Sequence, residues 1–148
     1  MKKLKYILLL IVLTGVMSGC VNNDKKEVQQ KSVLLRGEKI NAEVADTDYL
    51  RTRGLSYRAS LCEDCGMLFV FDTYNYYSFW MNEMNFPLDI IYLKDNKVVE
   101  IFESVPVKTN DKTTRIYPEN EVNGVLELNS GWSKAHNLQI GDNLDILD

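Results

Sequence analysis

Apolar residues are massed once near the start of this chain and are then dealt out in short runs. Tyr6 through Met17 form a single hydrophobic stretch, whereas beyond residue 31 the apolar positions keep strand spacing with two brief helical interruptions. Ile40, Ala42 and Val44 alternate with polar neighbours, as in a half-buried strand, and Thr47 then caps a short helix that Gly54 ends. Met67 to Phe71 is an unbroken apolar run between Gly66 and Asp72, long enough for a buried strand and too short for a helix. Ser78 to Met81, Leu88 to Leu93 and Val98 to Phe102 have strand composition, and Lys94-Asp95-Asn96-Lys97 reads as the turn of a hairpin. Val105 to Glu121 is polar and irregular. Val125 to Asn129 gives a further strand, Ser130 is placed to cap a helix running to about His136, and Gly141-Asp142 turns the chain into a last strand, Asn143 to Leu147. Such a succession predicts a mostly β (α+β) domain, an antiparallel curled sheet or small barrel with two short helices.

The chain's start has the design of an export signal. Lys2, Lys3 and Lys5 precede the apolar stretch, which ends in Ser18 and Gly19 and falls short of the roughly 20 residues a spanning helix needs. Met17-Ser18-Gly19-Cys20 resembles the bacterial lipobox, whose cysteine takes diacylglycerol on its thiol and becomes the new N-terminus after cleavage. Met17 stands where that motif usually has leucine. The expected organisation is a signal peptide at 1–19, a lipid-anchored tether at 20–31 too polar to order itself, and one globular domain at 32–148. The expected address is the extracytoplasmic face of the cell membrane.

Charge narrows the partners. Loss of Lys2, Lys3 and Lys5 with the signal leaves 14 basic against 21 acidic residues, a net of −7. That balance argues against nucleic acid, and no basic tract draws the domain onto anionic headgroups, so the lipid makes the membrane contact.

Several short segments together resemble a known family. Arg53-Gly54-Leu55 with Arg58, Gly66-Met67-Leu68-Phe69, Phe79-Trp80-Met81, Pro87-Leu88-Asp89-Ile90, Leu126-Glu127 with Gly131, and Gly141-Asp142 resemble, in order and spacing, the family called domain of unknown function 192. The resemblance covers nearly all of residues 40–147. It implies a compact β-rich domain often found behind export signals, and no established activity. Cys62, Cys65 and Asn82-Glu83 depart from the family's usual pattern, the last pair standing where a lysine and a polar residue are common.

Four groups of residues have chemistry to offer. Asp89 and Glu127 are carboxylates inside apolar strands, each needing a partner such as Arg53 or Arg58 or a raised pKa; were the two to converge in a cleft, they would suit a carboxylate-dependent hydrolase acting on an envelope polymer. A structural ion pair or backbone hydrogen bonds is the plainer alternative. The aromatic segment Tyr74 to Trp80 exceeds what one side of a strand buries, and alternation puts Trp80 with Ser78 and Asn82 on the wetter side, Phe79 and Met81 on the core side. Trp80, Tyr77 and Asn82 are therefore the candidate binding residues, for a sugar, a peptide or a protein partner in the envelope, unless the Val105 to Glu121 segment folds over Trp80. Cys62-Glu63-Asp64-Cys65 favours a local disulfide: the acidic pair between the thiols disfavours redox exchange, and a closed zinc site lacks ligands. His136 reads as structural near a helix C-terminus. No phosphate loop, metal motif or nucleophile elbow is present, and neither cofactor nor metal is expected. The favoured function is a membrane-anchored binding or accessory module.

Overall fold

The computed structural model describes residues 28–147; the expected signal at 1–19, the expected lipid site Cys20 and residues 21–27 of the expected tether lie outside the described residues. In chain order the elements are β1 (Gln30–Leu35), β2 (Glu38–Ala45), α1 (Asp48–Arg53), β3 (Cys65–Asn75), β4 (Phe79–Trp80), β5 (Leu88–Lys94), β6 (Lys97–Val105), β7 (Lys108–Thr109), β8 (Lys112–Thr113), β9 (Arg115–Ile116), β10 (Val122–Asn129), α2 (Trp132–Ala135) and β11 (Leu144–Leu147). Seven of the strands form one curled sheet in the order β11-β1-β2-β3-β10-β5-β6, so the mostly β, barrel-like expectation holds.

Two tight hairpins set much of the register. Asp95 and Asn96, both at positive φ, join β5 to β6, and Arg36 (φ 56°) with Gly37 (φ 85°) join β1 to β2 in the same way; such turns twist with the strands they connect. Antiparallel pairing fails at one place. β2 and β3 run parallel, because α1 and the loop after it carry the chain back to the end where β2 began. Gly66, early in β3, permits close packing there: a Cβ on it would sit 2.9 Å from the Glu127 carbonyl oxygen. The ends of the sheet meet through backbone bonds, with Val98 N–H donating to Asp142 O (2.8 Å), Gly141 N–H to Val98 O (2.8 Å) and Leu144 N–H to Asn96 O (2.7 Å).

Side-chain alternation gives the sheet two cores. Leu68, Ile91, Leu93, Leu126 and Leu128 pack on one face with Val33, Leu35 and Trp132. Met67, Phe69, Ile90, Tyr92 and Val125 pack on the other with Leu50, Leu55 and Met81. Both faces of β3, β5 and β10 are thus covered, which is why these strands read as apolar runs.

Three expectations shift. The ordered backbone starts ahead of Ser32: Gln30 and Lys31 pair in β1, and Gln29 O accepts from Val44 N–H, since a backbone ladder orders polar residues without burying them. The irregular Val105 to Glu121 segment holds β7, β8 and β9, and β9 pairs with β4. The last helix is one turn, entered through Gly131 at φ 88° and not capped by Ser130, whose Oγ donates to Ser104 Oγ. Thr47 does cap α1, its Oγ1 accepting from Leu50 N–H, and Gly54 N–H closes the helix on Leu50 O.

Candidate functional site

Trp80 stands on the wall of an open cleft of about 560 Å³. It owes its position to β4, where Phe79 and the following Met81 turn inward while Ser78 and Trp80 turn out; Trp80 keeps 47% of its surface exposed. The Val105 to Glu121 segment does reach it, through β9: the Arg115 guanidinium lies 4.6 Å from the ring centroid and occupies one face of the indole.

The cleft's other walls come from α1, through Asp48, Arg51 and Thr52, and from β3, through Phe69, Phe71, Asp72 and Thr73. β3 can line it because its ladder with β10 breaks. Val70 faces Gly124 and Asn75 faces Val122, so five steps of β3 oppose two of β10 and Phe71 to Tyr74 bulge outward. Stacking stiffens the bulge, with the Phe71 and Tyr77 rings 3.6 Å apart at 10° and the Tyr77 hydroxyl donating to Thr73 O at 3.0 Å. Arg51 lies over Phe71, donates to Val70 O (2.8 Å) and pairs with Asp48 (2.7 Å). Of the candidate binding residues, Trp80 and Tyr77 therefore meet in the cleft and Asn82 does not line it. β4 ends at Trp80, Met81 N–H bonds to Thr114 O, and the chain turns through Glu83 at φ 54°, leaving the Asn82 carbonyl to accept from Ser56 Oγ. Sequence reasoning missed Asp48, Arg51, Thr52, Asp72 and Arg115; the crowded aromatics pointed to the place, but a bulge leaves no periodic signal.

The two candidate carboxylates are held apart. Leu128 faces Asp89 and Glu127 faces Ile90 across the β10–β5 ladder, so Asp89 and Glu127 project from opposite faces of the sheet and cannot act on one bond. Asp89, 0% exposed, accepts three backbone N–H groups: Ser104 (2.8 Å) and Gly131 (3.0 Å) on Oδ1, Ser133 (2.7 Å) on Oδ2. It ties α2 to the β5–β6 hairpin, and its partners are amides rather than Arg53 or Arg58. Arg53 donates to the Tyr49 hydroxyl on exposed α1. Glu127, 5% exposed, makes no side-chain hydrogen bond among the described residues; burial pushes its carboxyl up to about 8, against a weaker downward pull from Arg58. Arg58 itself is committed to Glu43, at 2.5 and 2.7 Å, which holds the Glu43 carboxyl below its usual range.

Cys62 and Cys65 form a disulfide at the entry to β3. His136 follows α2, its Nδ1 against Trp132 O (2.8 Å) and its ring stacked on the indole. A second cleft of about 390 Å³, between Glu38, Asp64 and His136, gathers acidic groups, yet no set of three potential metal ligands occurs among the described residues.

Comparison with known proteins gives relatives of the same fold. A crystal structure of a protein of unknown function from Novosphingobium aromaticivorans DSM 12444 is similar at 25% identity and a TM-score of 0.73, over 82% of this chain and 89% of that one. A putative transcription regulator from Sinorhizobium meliloti 1021 is similar at 28% identity and a TM-score of 0.73, over 81% of this chain and 95% of that one. No curated protein matches the chain. The model of one family, DUF192, described as "Uncharacterized ACR", matches residues 31–146, and the chain belongs to that family.

Proposed function

We propose that this protein is a lipid-anchored binding module on the extracytoplasmic face of the cell membrane, and that the cleft beside Trp80 takes a sugar chain. One observation carries the ligand reading: a half-exposed indole, backed by a cation, stands over a rim of side chains that both donate and accept. A sugar ring offers an apolar C–H face to the indole and hydroxyls to Asp72, Thr52, Thr73 and Ser78, which match it in both hydrogen-bonding senses. The lipid anchor rests on the Met17 to Cys20 motif.

Other classes find less support. A hydrolase would need its two carboxylates to flank one scissile bond in a shared cleft, and Asp89 and Glu127 project from opposite faces of the sheet. The Sinorhizobium relative is called a putative transcription regulator, but a mature chain of −7 offers phosphate little.

Trp80 itself reports binding once Trp132 is replaced by phenylalanine. Addition of an N-acetylglucosamine tetramer is expected to blue-shift its emission and protect it from acrylamide. Protection by an extended peptide and not by the sugar would transfer the cleft to peptide ligands. The anchor is tested by metabolic labelling with a fatty-acid analogue, which Cys20→Ala should abolish; a variant that labels and fractionates like wild type removes it.

A further inference from the structure

The chain enters the domain beside the cleft. Val28, the first described residue, packs in the same apolar cluster as Phe69, Phe71, Tyr77 and Phe79, which floor the cleft. The strand register says the same: Gln30 at the start of β1 faces Glu43 near the end of β2, and β2 ends at Ala45 opposite Phe69, where the cleft begins. The Arg36-Gly37 turn, at the other end of β1, lies about 20 Å farther along the strand.

Eight chain steps separate Cys20 from Val28, and whatever path they take they span at most about 28 Å. A lipid on Cys20 therefore keeps the cleft end of the domain close to the headgroups. General attraction to that surface is absent, because the mature chain is acidic. The cleft is itself balanced, with Asp48 and Asp72 against Arg51 and Arg115, and Arg51 already paired with Asp48. Arg115, the cation without a carboxylate partner here, lies over the Trp80 indole, so the cleft holds no cluster of free cations of the kind that fixes an anionic phosphate. Such a site, held against a membrane, suits an uncharged polar group standing on that membrane.

From this we infer that the cleft's ligand is the uncharged sugar head of a glycolipid in the same membrane that holds Cys20. The inference rests on the anchor and sugar readings above. Its advantage is local concentration: confinement to one surface replaces a dilute encounter with an effective concentration in the millimolar range.

The test uses the lipidated full chain carrying Trp132→Phe, reconstituted into phosphatidylglycerol vesicles with or without a diglucosyl diacylglycerol. Acrylamide quenching of Trp80 should fall when the glycolipid shares the vesicle, at a total sugar concentration at least about tenfold below that needed with the free disaccharide. Asp72→Ala, on the exposed bulge, should weaken that protection while leaving the domain folded. Equal protection by the free disaccharide, or by glycolipid supplied only in separate vesicles, overturns the same-membrane inference and leaves the sugar reading standing. Protection by vesicles lacking glycolipid overturns it in favour of unspecific surface contact. If neither form of this sugar protects Trp80 while the N-acetylglucosamine tetramer does, the glycolipid inference falls and the sugar reading stands; if none of the three protects it, the sugar reading falls as well.

Discussion

Asp89 and Glu127 sit one residue out of register on neighbouring strands, both inside apolar surroundings, and the fold treats them in opposite ways. Asp89 faces three amide hydrogens brought to it by the bulge at Ser104, where φ is 51°, and by the first turn of α2. Glu127 faces Met67 and Ile90 along its row of the sheet, with the nearest cation tied to Glu43. A buried carboxylate needs hydrogen bonds or a proton. Asp89 receives the hydrogen bonds; Glu127 keeps the proton.

Asp89→Ala should give the largest effect, because it leaves three buried or half-buried amides unpaired at once. A loss of roughly 3–5 kcal/mol in denaturant melts is expected, with Asp89→Asn losing about 1–3 kcal/mol. A midpoint unchanged in both variants would mean that water replaces the carboxylate and that the comparison has no energetic content.

Glu127 contributes through pH. Its proton is held to about 8 in the fold, against 4.5 in an unfolded chain, so the folded state binds the extra proton between those values. The associated stability is fully present below about 4.5 and is lost as pH rises to about 8, with a slope of at most about 1.4 kcal/mol per pH unit. Glu127→Gln should lack that part of the slope in melts taken across the window. Parallel curves for wild type and variant would place an ionised Glu127 in the core.

Arg58→Met sharpens the contrast by removing the cation that Glu127 feels and Glu43 binds. Both carboxyls should titrate higher, as followed by carboxyl-carbon chemical shifts, at a stability loss of about 1 kcal/mol for the half-exposed pair. The smallest effect is expected from Ser130→Ala. A helix-capping serine costs about 0.5–2 kcal/mol when removed, but with Asp89 on the helix amides the change should stay within about 0.5 kcal/mol.

The elements legible in the sequence are those whose information is local. The Met67 to Phe71 run, the Lys94 to Lys97 turn and the Thr47 cap need only neighbouring residues, and all three occur. Trp80's outward direction followed from alternation within four residues. What escaped depends on distant parts of the chain. Gln30 and Lys31 became strand because β2 pairs with them, Ser130 lost its capping role to a residue 41 positions earlier, and the β3 bulge exists only relative to β10. The hydrolase arrangement failed for a related reason, since spacing along the chain did not say which rows of the sheet the two carboxylates would occupy.

The pairing of β1 with β11 places Ser32 opposite Leu147, so the first strand to be synthesised waits for the last. Until the ribosome has delivered the C-terminal residues, the outer edge of β1 has no partner and the seam between Asn96 and Leu144 cannot close. Closure of the sheet therefore depends on β11, and an N-terminal fragment ending before Leu144 carries an open strand edge. For the same reason the start of β1 and the end of β11 are neighbours in space: a short loop joining them should allow a circular permutant of the described domain opened at the exposed Asn110-Asp111 turn, with the sheet order unchanged.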